Sequence, residues 1–543
     1  MSQKKKNVKI PTKSELIQLQ KLYKTDEKIG ERLGGVPAYL VAYWRRKKNV
    51  PKHSQPKFSE KEIKTLWERF GDDDKCGMEL GISKAAFYNW RRRYGIKEKP
   101  AFLKLEQLEF NFPGMRVNTG SGSLYNKQTI IQKIISAFSE SETIEVGSEV
   151  DVEPALTMMD IAAREVIEEF RKSDTELVWN PNKVFISLSE CTNSAFENQP
   201  ETYKLIKDFV KRQGIKNFFD ISEGNCHQVA LENGMVLPGR VILGTNKYIT
   251  STGTVCSLGM PQEAAEIARV WSTGKFKMKT PATIRIDISG RRSRGVYGKD
   301  ITLLVLKQLK GVNIEGKVVE FYGNVISQMS ISERFTLCNM TYDAGAAGAL
   351  CPFDSVTRRF LNGRTQANYA PLVADKNAEY EEMYQINIDQ LVPQIAIPGN
   401  SDSIRPVSEL EGTPLNMIFI GTTVNGRFDD LRVTAEILKG KKVAPNCRVI
   451  IYPSSRSVYL EALKKGLIRM MVEAGAVLIH PGYWPDRNTV SLLEQGDRAL
   501  VTCNYSLINS IDPEKNESLI CSPATAAASA LNGAITDPAR YVK

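Results

Sequence analysis

Val184-Phe-Ile-Ser-Leu188 and Arg448-Val-Ile-Ile-Tyr452 are short, β-branched and almost wholly apolar. Neither alternates apolar with polar residues, as a half-solvated strand would. Such runs, roughly four to eight residues long, read as buried strands. Around them the apolar spacing becomes helical, at Thr302–Leu309 and at Ser457–Glu473. Strands alternating with helices argue for a layered α/β body. That body is expected over residues 124–543.

The composition shifts ahead of it. The chain has 543 residues and a formal net charge of +11. Residues 1–110 hold 26 Lys and Arg against 14 Asp and Glu, a net of +12, which leaves −1 for everything after them. Excess positive charge confined to one segment implies a polyanionic partner, DNA first. The nine cysteines form no C-x-x-C pair. Scattered free thiols suit a reducing compartment, so a cytoplasmic location is expected. No apolar run is long enough to cross a bilayer, and no signal-peptide core follows Lys4–Lys6, so no membrane partner is expected.

The basic segment repeats itself. Tyr23-Lys-Thr-Asp-Glu-Lys-Ile-Gly-Glu-Arg-Leu-Gly34 leads to Tyr43-Trp-Arg-Arg-Lys47. Phe70-Gly-Asp-Asp-Asp-Lys-Cys-Gly-Met-Glu-Leu-Gly81 leads to Asn89-Trp-Arg-Arg-Arg93. The period is 47 residues before the glycine and 46 after it. Leu16, Leu19 and Leu22 mark a first helix in one copy, and Ile63, Leu66 and Trp67 mark it in the other. Gly34 and Gly81 suit the left-handed turn that closes a second helix. Ser83 suits the cap of a third, Lys84 to Arg93. That order predicts two small all-α helix-turn-helix modules, at 1–55 and 56–98, followed by a linker at 99–123 with a Gly/Ser joint. Trp44 and Trp90 are expected to anchor the third helices. Arg45, Arg46 and Lys47, like Arg91, Arg92 and Arg93, are expected on phosphates. Base reading falls to Lys84, Ala85, Tyr88 and Asn89, with Tyr39 and Tyr43 in the first copy. RNA or a docked protein remains an alternative partner for the same segment.

The body carries a run of motifs in fixed order. They are Glu223-Gly-Asn-Cys-His-Gln-Val229 with Leu237-Pro-Gly239, then Gly295-Val-Tyr-Gly-Lys-Asp300, then Val319-Glu-Phe-Tyr-Gly323. Glu333-Arg-Phe-Thr-Leu-Cys-Asn-Met-Thr-Tyr-Asp-Ala-Gly-Ala346, Asn425-Gly-Arg-Phe-Asp-Asp-Leu-Arg432, Gly440-Lys-Lys-Val-Ala-Pro445 and Ser522-Pro-Ala-Thr-Ala-Ala-Ala528 follow. Together they resemble the large, cluster-bearing subunit of the aconitase superfamily, of the isopropylmalate isomerase and homoaconitase type. The resemblance covers about four-fifths of the chain. It implies a three-domain α/β/α body, with the swivelling small domain on a separate small subunit.

The resemblance also implies a chemistry: dehydration and rehydration of a hydroxy di- or tricarboxylate, with an open iron of a four-iron cluster acting as Lewis acid. Several positions depart from that pattern. Where the family has G-S-C-T-N, this chain has Gly421-Thr-Thr-Val-Asn425, with Thr423 in place of a cluster cysteine. Where it has P-G-C-x-x-C, Tyr483 stands at the first cysteine. Thr245 and Lys247 replace the Asp and His of G-D-S-H-T, Ser189 and Glu190 replace a D-H pair, and Tyr505 replaces a substrate arginine. Asp160 survives from a nearby H-D pair. His227, Gln228, Asp343, Asn425 and Arg427 remain as candidate ligand-binding residues. Hydroxyls are poor ligands for soft iron. The reading is therefore a body with no metal and no cofactor, its four-iron cluster lost; the alternative is a metal site relocated to Cys226, Cys256, Cys338, Cys351 or Cys503. The function expected from this is a DNA-binding regulator or scaffold on a catalytically inactive aconitase-like body that senses a carboxylate metabolite. The alternative is a divergent hydro-lyase or isomerase of a hydroxy-acid working with a separate small subunit, with Tyr483, Lys247, Glu190 and Asp343 as its acids and bases.

Overall fold

The computed structural model describes residues 10–23, 25–50, 58–70, 73–96, 127–139, 144–188, 199–397, 404–421, 423–481, 496–504 and 517–542. The expected linker at 99–123 lies outside them. The chain divides into two compact units, Met1–Phe110 and Asn111–Lys543, each with its own cores.

Among the described residues the first unit holds six helices in two sets of three. They are α1 Lys13–Tyr23, α2 Asp26–Arg32 and α3 Ala38–Lys47, then α4 Glu60–Phe70, α5 Asp73–Glu79 and α6 Lys84–Arg93. Leu16, Ile29, Val41 and Trp44 fill one small core; Ile63, Trp67, Cys76 and Phe87 fill the other. Trp90 packs beside the second core, edge-on to Phe58 and stacked near Tyr94. Ser83 caps α6, its Oγ accepting from the Ala86 N–H, and Thr25 does the same for α2 from Lys28. Gly34, Gly35 and Gly81 have positive φ in the turns. Leu22, one of the three leucines that mark the first helix, is 72% exposed. At 3.6 residues per turn it leaves the stripe on which Leu16, Gln20 and Tyr23 face inward.

The second unit is built on parallel sheets. One has five strands, all parallel, in the order Asn217–Phe219, Val184–Ser187, Leu156–Met159, Val241–Gly244, Leu258–Pro261. A four-stranded parallel sheet runs Gly348–Leu350, Val318–Tyr322, Thr283–Ser289, Glu382–Asn387. A seven-stranded sheet runs Arg405–Pro406, Gln394–Ala396, Glu517–Cys521, Arg498–Val501, Met417–Gly421, Arg448–Tyr452, Val477–Leu478, with its first two pairings antiparallel and the rest parallel. A short antiparallel pair, Glu149–Val152 with Phe276–Lys279, stands apart. The two runs that decided the fold class are both interior strands, as apolarity on both faces requires. The helix expected over Ser457–Glu473 is two, Arg456–Lys464 and Leu467–Ala474. Gly466, at φ +75°, breaks it. Among the described residues no helix is long and apolar enough to cross a membrane.

Candidate active site

Strands that run parallel end together, and loops leaving their carboxyl ends gather the chemistry of an α/β protein there. In the five-stranded sheet, Ser187 ends one strand, Asp160 follows a second, and Thr245 with Asn246 follows a third. In the seven-stranded sheet, Thr423 and Asn425 follow Met417–Gly421, Ser454 follows Arg448–Tyr452, and Asn504 follows Arg498–Val501. The two sets of loops are joined by direct contacts. The Asn225 N–H donates to the Ser454 carbonyl at 2.8 Å, and the Ser454 N–H donates to the Gly426 carbonyl at 2.9 Å. The Asn504 amide donates to Asn339 Oδ1 at 3.3 Å, and Thr250 Oγ1 approaches the Asn339 carbonyl.

These loops hold an unusual concentration of buried polar atoms without a hydrogen-bond partner. They are Ser187 Oγ, Thr245 Oγ1, Ser251 Oγ, Thr423 Oγ1 and Ser454 Oγ, with the amide atoms Asn225 Nδ2, Asn339 Nδ2 and Asn504 Oδ1. Each such atom costs about 1–3 kcal/mol unless something satisfies it. A native core does not collect them by chance. Apart from Ser251 and Asn339, which lie on helical turns, they stand at or after strand ends, where the oxygens of a small polar ligand could reach them.

The charged groups around them are buried and specialised. Lys299, in the helix Gly298–Gln308, is 2% exposed. Its ammonium donates to Asn425 Oδ1 at 3.2 Å and to the carbonyls of Thr502 and Cys503, both at 2.9 Å. All three N–H bonds are committed. Lys299 thus acts as a strut that pins the loop after Met417–Gly421 to the loop after Arg498–Val501, and burial brings its pKa down to about 8. Asp300 beside it accepts from the Gln394 and Tyr297 N–H groups, and burial pushes it up to about 7. The Gly295–Asp300 motif was visible in the sequence, yet the burial of its lysine could be known only once two distant loops closed over it.

The sequence-selected residues fall as follows. His227 is fully buried, with Nδ1 3.2 Å from Asn225 Oδ1, and burial brings its pKa down to about 3, so it is neutral in neutral solution. Gln228 donates to Glu232 at 2.7 Å. Asn425 accepts from Lys299 and donates to Asp430 at 3.2 Å, which fixes both ends of its amide. Arg427 turns inward: Nη2 donates to the Ser332 carbonyl at 2.9 Å, to Thr336 Oγ1 at 2.8 Å and to the Val424 carbonyl. Its guanidinium lies 4.1 Å over the Phe335 ring, and burial brings its pKa down to about 10. Nε and Nη1 have no partner. Arg427 also lines a cavity of about 470 Å³ with Gln228, Arg359 and Asp429. Asp160 accepts from Asn246 Nδ2 at 2.8 Å. Asp343 is half-buried on a short helical turn, and Lys247 is half-buried over the Tyr248 ring. Ser189, Glu190, Tyr483 and Tyr505 lie outside the described residues.

In the first unit the structure revises two assignments. Arg45 and Arg91, expected on phosphates, are internal. Arg45 forks onto Asp26 with bonds of 3.0 and 2.9 Å and caps the Val50 carbonyl. Arg91 forks onto Asp73 at 2.8 and 2.9 Å and caps the Ile96 carbonyl. A W-R-R run looks uniformly superficial in sequence, but a helix turns its first arginine back under the module. Arg46, Lys47, Lys84, Tyr88, Asn89, Arg92 and Arg93 all face solvent.

With this geometry in place, comparison with known proteins identifies the body. A family model for aconitase (aconitate hydratase) matches residues 145–412 and 404–533. Over 417 residues the chain is 34% identical to 3-isopropylmalate dehydratase large subunit 1 of Methanopyrus kandleri, covering 76% of this chain and 100% of that one. Over 373 residues it is 37% identical to the probable methanogen homoaconitase large subunit of Methanosarcina mazei, covering 68% and 95%. A solved structure, Thermococcus kodakaraensis aconitase X in its holo form, aligns with a TM-score of 0.41 at 12% identity over 70% of this chain and 90% of that one, too remote to bear on function. The chain belongs to the aconitase family. Its body is of the large-subunit type, as the isopropylmalate dehydratase and homoaconitase relatives are.

This membership corrects the expectation that the chain has no cofactor. Relatives matched over essentially their whole length are dehydratase and homoaconitase large subunits, and for that group the four-iron cluster is the starting expectation. The donors at the described positions fit it poorly. Thr423 presents a hydroxyl, which is a weak ligand for iron, and Tyr483 lies outside the described residues. A relocated site gains no support either. Cys338 and Cys351 come within 3.9 Å of each other, but no group of three or more His, Cys, Asp or Glu among the described residues could hold a metal. Burial holds the Cys503 and Cys256 thiols up at about 12, where they stay protonated.

Proposed function

We propose that the body is the large subunit of a hydro-lyase or isomerase acting on a hydroxy-carboxylate, completed by a separate small subunit. The observation that carries this is the cluster of unsatisfied hydroxyl and amide atoms at the facing strand ends, in a chain that spans the full length of dehydratase large subunits. Those atoms suit the hydroxyl and carboxylate oxygens of such a substrate. Neutral His227 and the doubly fixed Asn425 orient it; Lys299, with no free N–H, holds the loops in place. Of the four acids and bases expected from the sequence, Lys247 and Asp343 are the two that lie among the described residues. The test is to co-express the chain with an aconitase-type small subunit, purify it without oxygen, and follow loss of water from hydroxy di- and tricarboxylates as ultraviolet absorbance of the unsaturated acid. Turnover that needs both subunits supports the reading. A carboxylate-induced thermal shift with no turnover in any combination overturns it and leaves a binding module.

For the basic head we propose a second, separate function: binding duplex DNA in the manner of tandem helix-turn-helix units. It is supported by the side of α3 and α6 that remains outward once Arg45 and Arg91 are locked inside, with Tyr39, Tyr43 and Tyr88 exposed beside Arg46, Lys47, Arg92 and Arg93. The full chain is expected to retard duplex DNA, with affinity falling steeply as salt rises. Arg92→Ala with Arg93→Ala is expected to weaken all sequences alike. No retardation at low salt overturns this reading.

A further inference from the structure

The two modules are copies with the same interior. Superposed by their repeat, Ile29 matches Cys76, Val41 matches Phe87, Trp44 matches Trp90, Asp26 matches Asp73 and Arg45 matches Arg91. The matched pairs keep the same place: core positions, with Trp90 half-buried where Trp44 is buried, and one arginine forked onto one aspartate while capping the carbonyl five residues on. The outward ends of the third helices also match. Arg46 and Lys47 correspond to Arg92 and Arg93, all exposed and all basic.

Between these fixed parts lies the face that a third helix turns toward base edges, near its own start. Its four positions are Ala38, Tyr39, Ala42 and Tyr43 in the first module, and Lys84, Ala85, Tyr88 and Asn89 in the second, all exposed except the half-buried Ala42. No position carries the same residue in both. The first face is aromatic and small, without a charge. The second has a lysine for guanine acceptors and an asparagine suited to adenine. Tyr39 is 70% exposed and Tyr43 53%, so neither serves its own core.

We infer that the two modules read two different base sequences, so that one chain recognises an asymmetric, two-part DNA site. This rests on the DNA-binding reading of the head. Scaffold and phosphate-end charges are held the same, so both modules dock alike. The base-facing residues differ throughout, so each docks on its own target. A symmetric dimer would present one face twice; this chain presents two faces once.

The test is selection of bound duplexes from a random-sequence pool by the full-length protein, followed by sequencing. The expected result is two unlike motifs in each selected duplex. In the Tyr39→Ala/Tyr43→Ala protein, preference for one motif falls about tenfold while the other persists; Lys84→Ala/Asn89→Ala does the reverse. One motif occurring twice, or binding without sequence preference, overturns the inference and leaves DNA binding standing. No bound duplex at low salt overturns both.

Discussion

The head and the body place their polar groups in opposite ways. In the head, buried polarity is closed: Arg45 and Arg91 are each matched by an aspartate and a carbonyl. In the body, part of the buried polarity is left open beside satisfied groups such as Lys299. Among the described residues, every buried side-chain nitrogen or oxygen without a partner lies there, most of them at strand ends. A satisfied interior means that function is worn on the surface, where the head's charge lies. An unsatisfied interior means that function is inside. One rule, the cost of an unpaired buried polar group, locates the working face of each region.

The sharpest way to break this contrast is to empty a satisfied site in the body. Lys299→Met leaves Asn425 Oδ1 and the carbonyls of Thr502 and Cys503 without their donor. A loss of about 4 kcal/mol is expected, read as a lower denaturant midpoint for the body while the head's helices melt as before. An unchanged midpoint would mean that the loops do not depend on the strut.

Acid should divide the two regions next. Burial holds His227 at about 3, against an ordinary value of 6.5. The unfolded chain takes up a proton below 6.5 that the native body refuses until about 3. This contribution is therefore complete above pH 6.5 and is lost as the pH falls toward 3. By pH 4 the body is expected to lose on the order of 3 kcal/mol through this residue. His227→Gln should flatten that part of the pH–stability curve, and a curve of unchanged slope would show that other groups govern it.

A smaller effect sharpens the comparison within the head. A Cβ on Gly30 would come within 2.0 Å of the Val36 carbonyl oxygen, whereas one on Gly77 would stand 2.7 Å from that of Ile82. Gly30→Ala is expected to destabilise its module by about 2–3 kcal/mol, and Gly77→Ala its own by less. Amide hydrogen exchange, resolved by module, would check the order. The smallest effect concerns Thr423, whose buried hydroxyl has no partner. Thr423→Val should leave stability within about 1 kcal/mol, shifted upward if at all, while abolishing the thermal shift given by a carboxylate ligand. A clear fall in stability would show that the hydroxyl serves the fold.

Much of this was legible in the sequence, wherever the signal was local. The strands at Val184–Ser187 and Arg448–Tyr452 declared themselves by apolarity, and the third helix of the second module by Ser83. Thr423, Asn425 and Arg427 were found because a family motif runs through them. The roles of Asn339, Ser454, Asn504 and Lys299 were not. These residues become neighbours only when parallel strands far apart in sequence are aligned, and no spacing within the chain encodes that alignment. Arg45 and Arg91 were misplaced for the same reason: the aspartates that draw them inward lie on a different helix. The helix expected from Ser457 to Glu473 failed where a local signal, Gly466, was present and was outweighed by apolar spacing on either side.

The turn between the second and third helices has Gly34-Gly35 in one module and Gly81 alone in the other, and a Cβ at any of the three would meet open space. One copy has therefore gained or lost a residue there with no neighbour to object, while Gly30, a few residues away, is hemmed in by backbone. The pair of modules is in effect an insertion experiment that duplication has already run. It marks that turn as the position where a reporter group or a longer loop can be spliced into the head with its architecture intact.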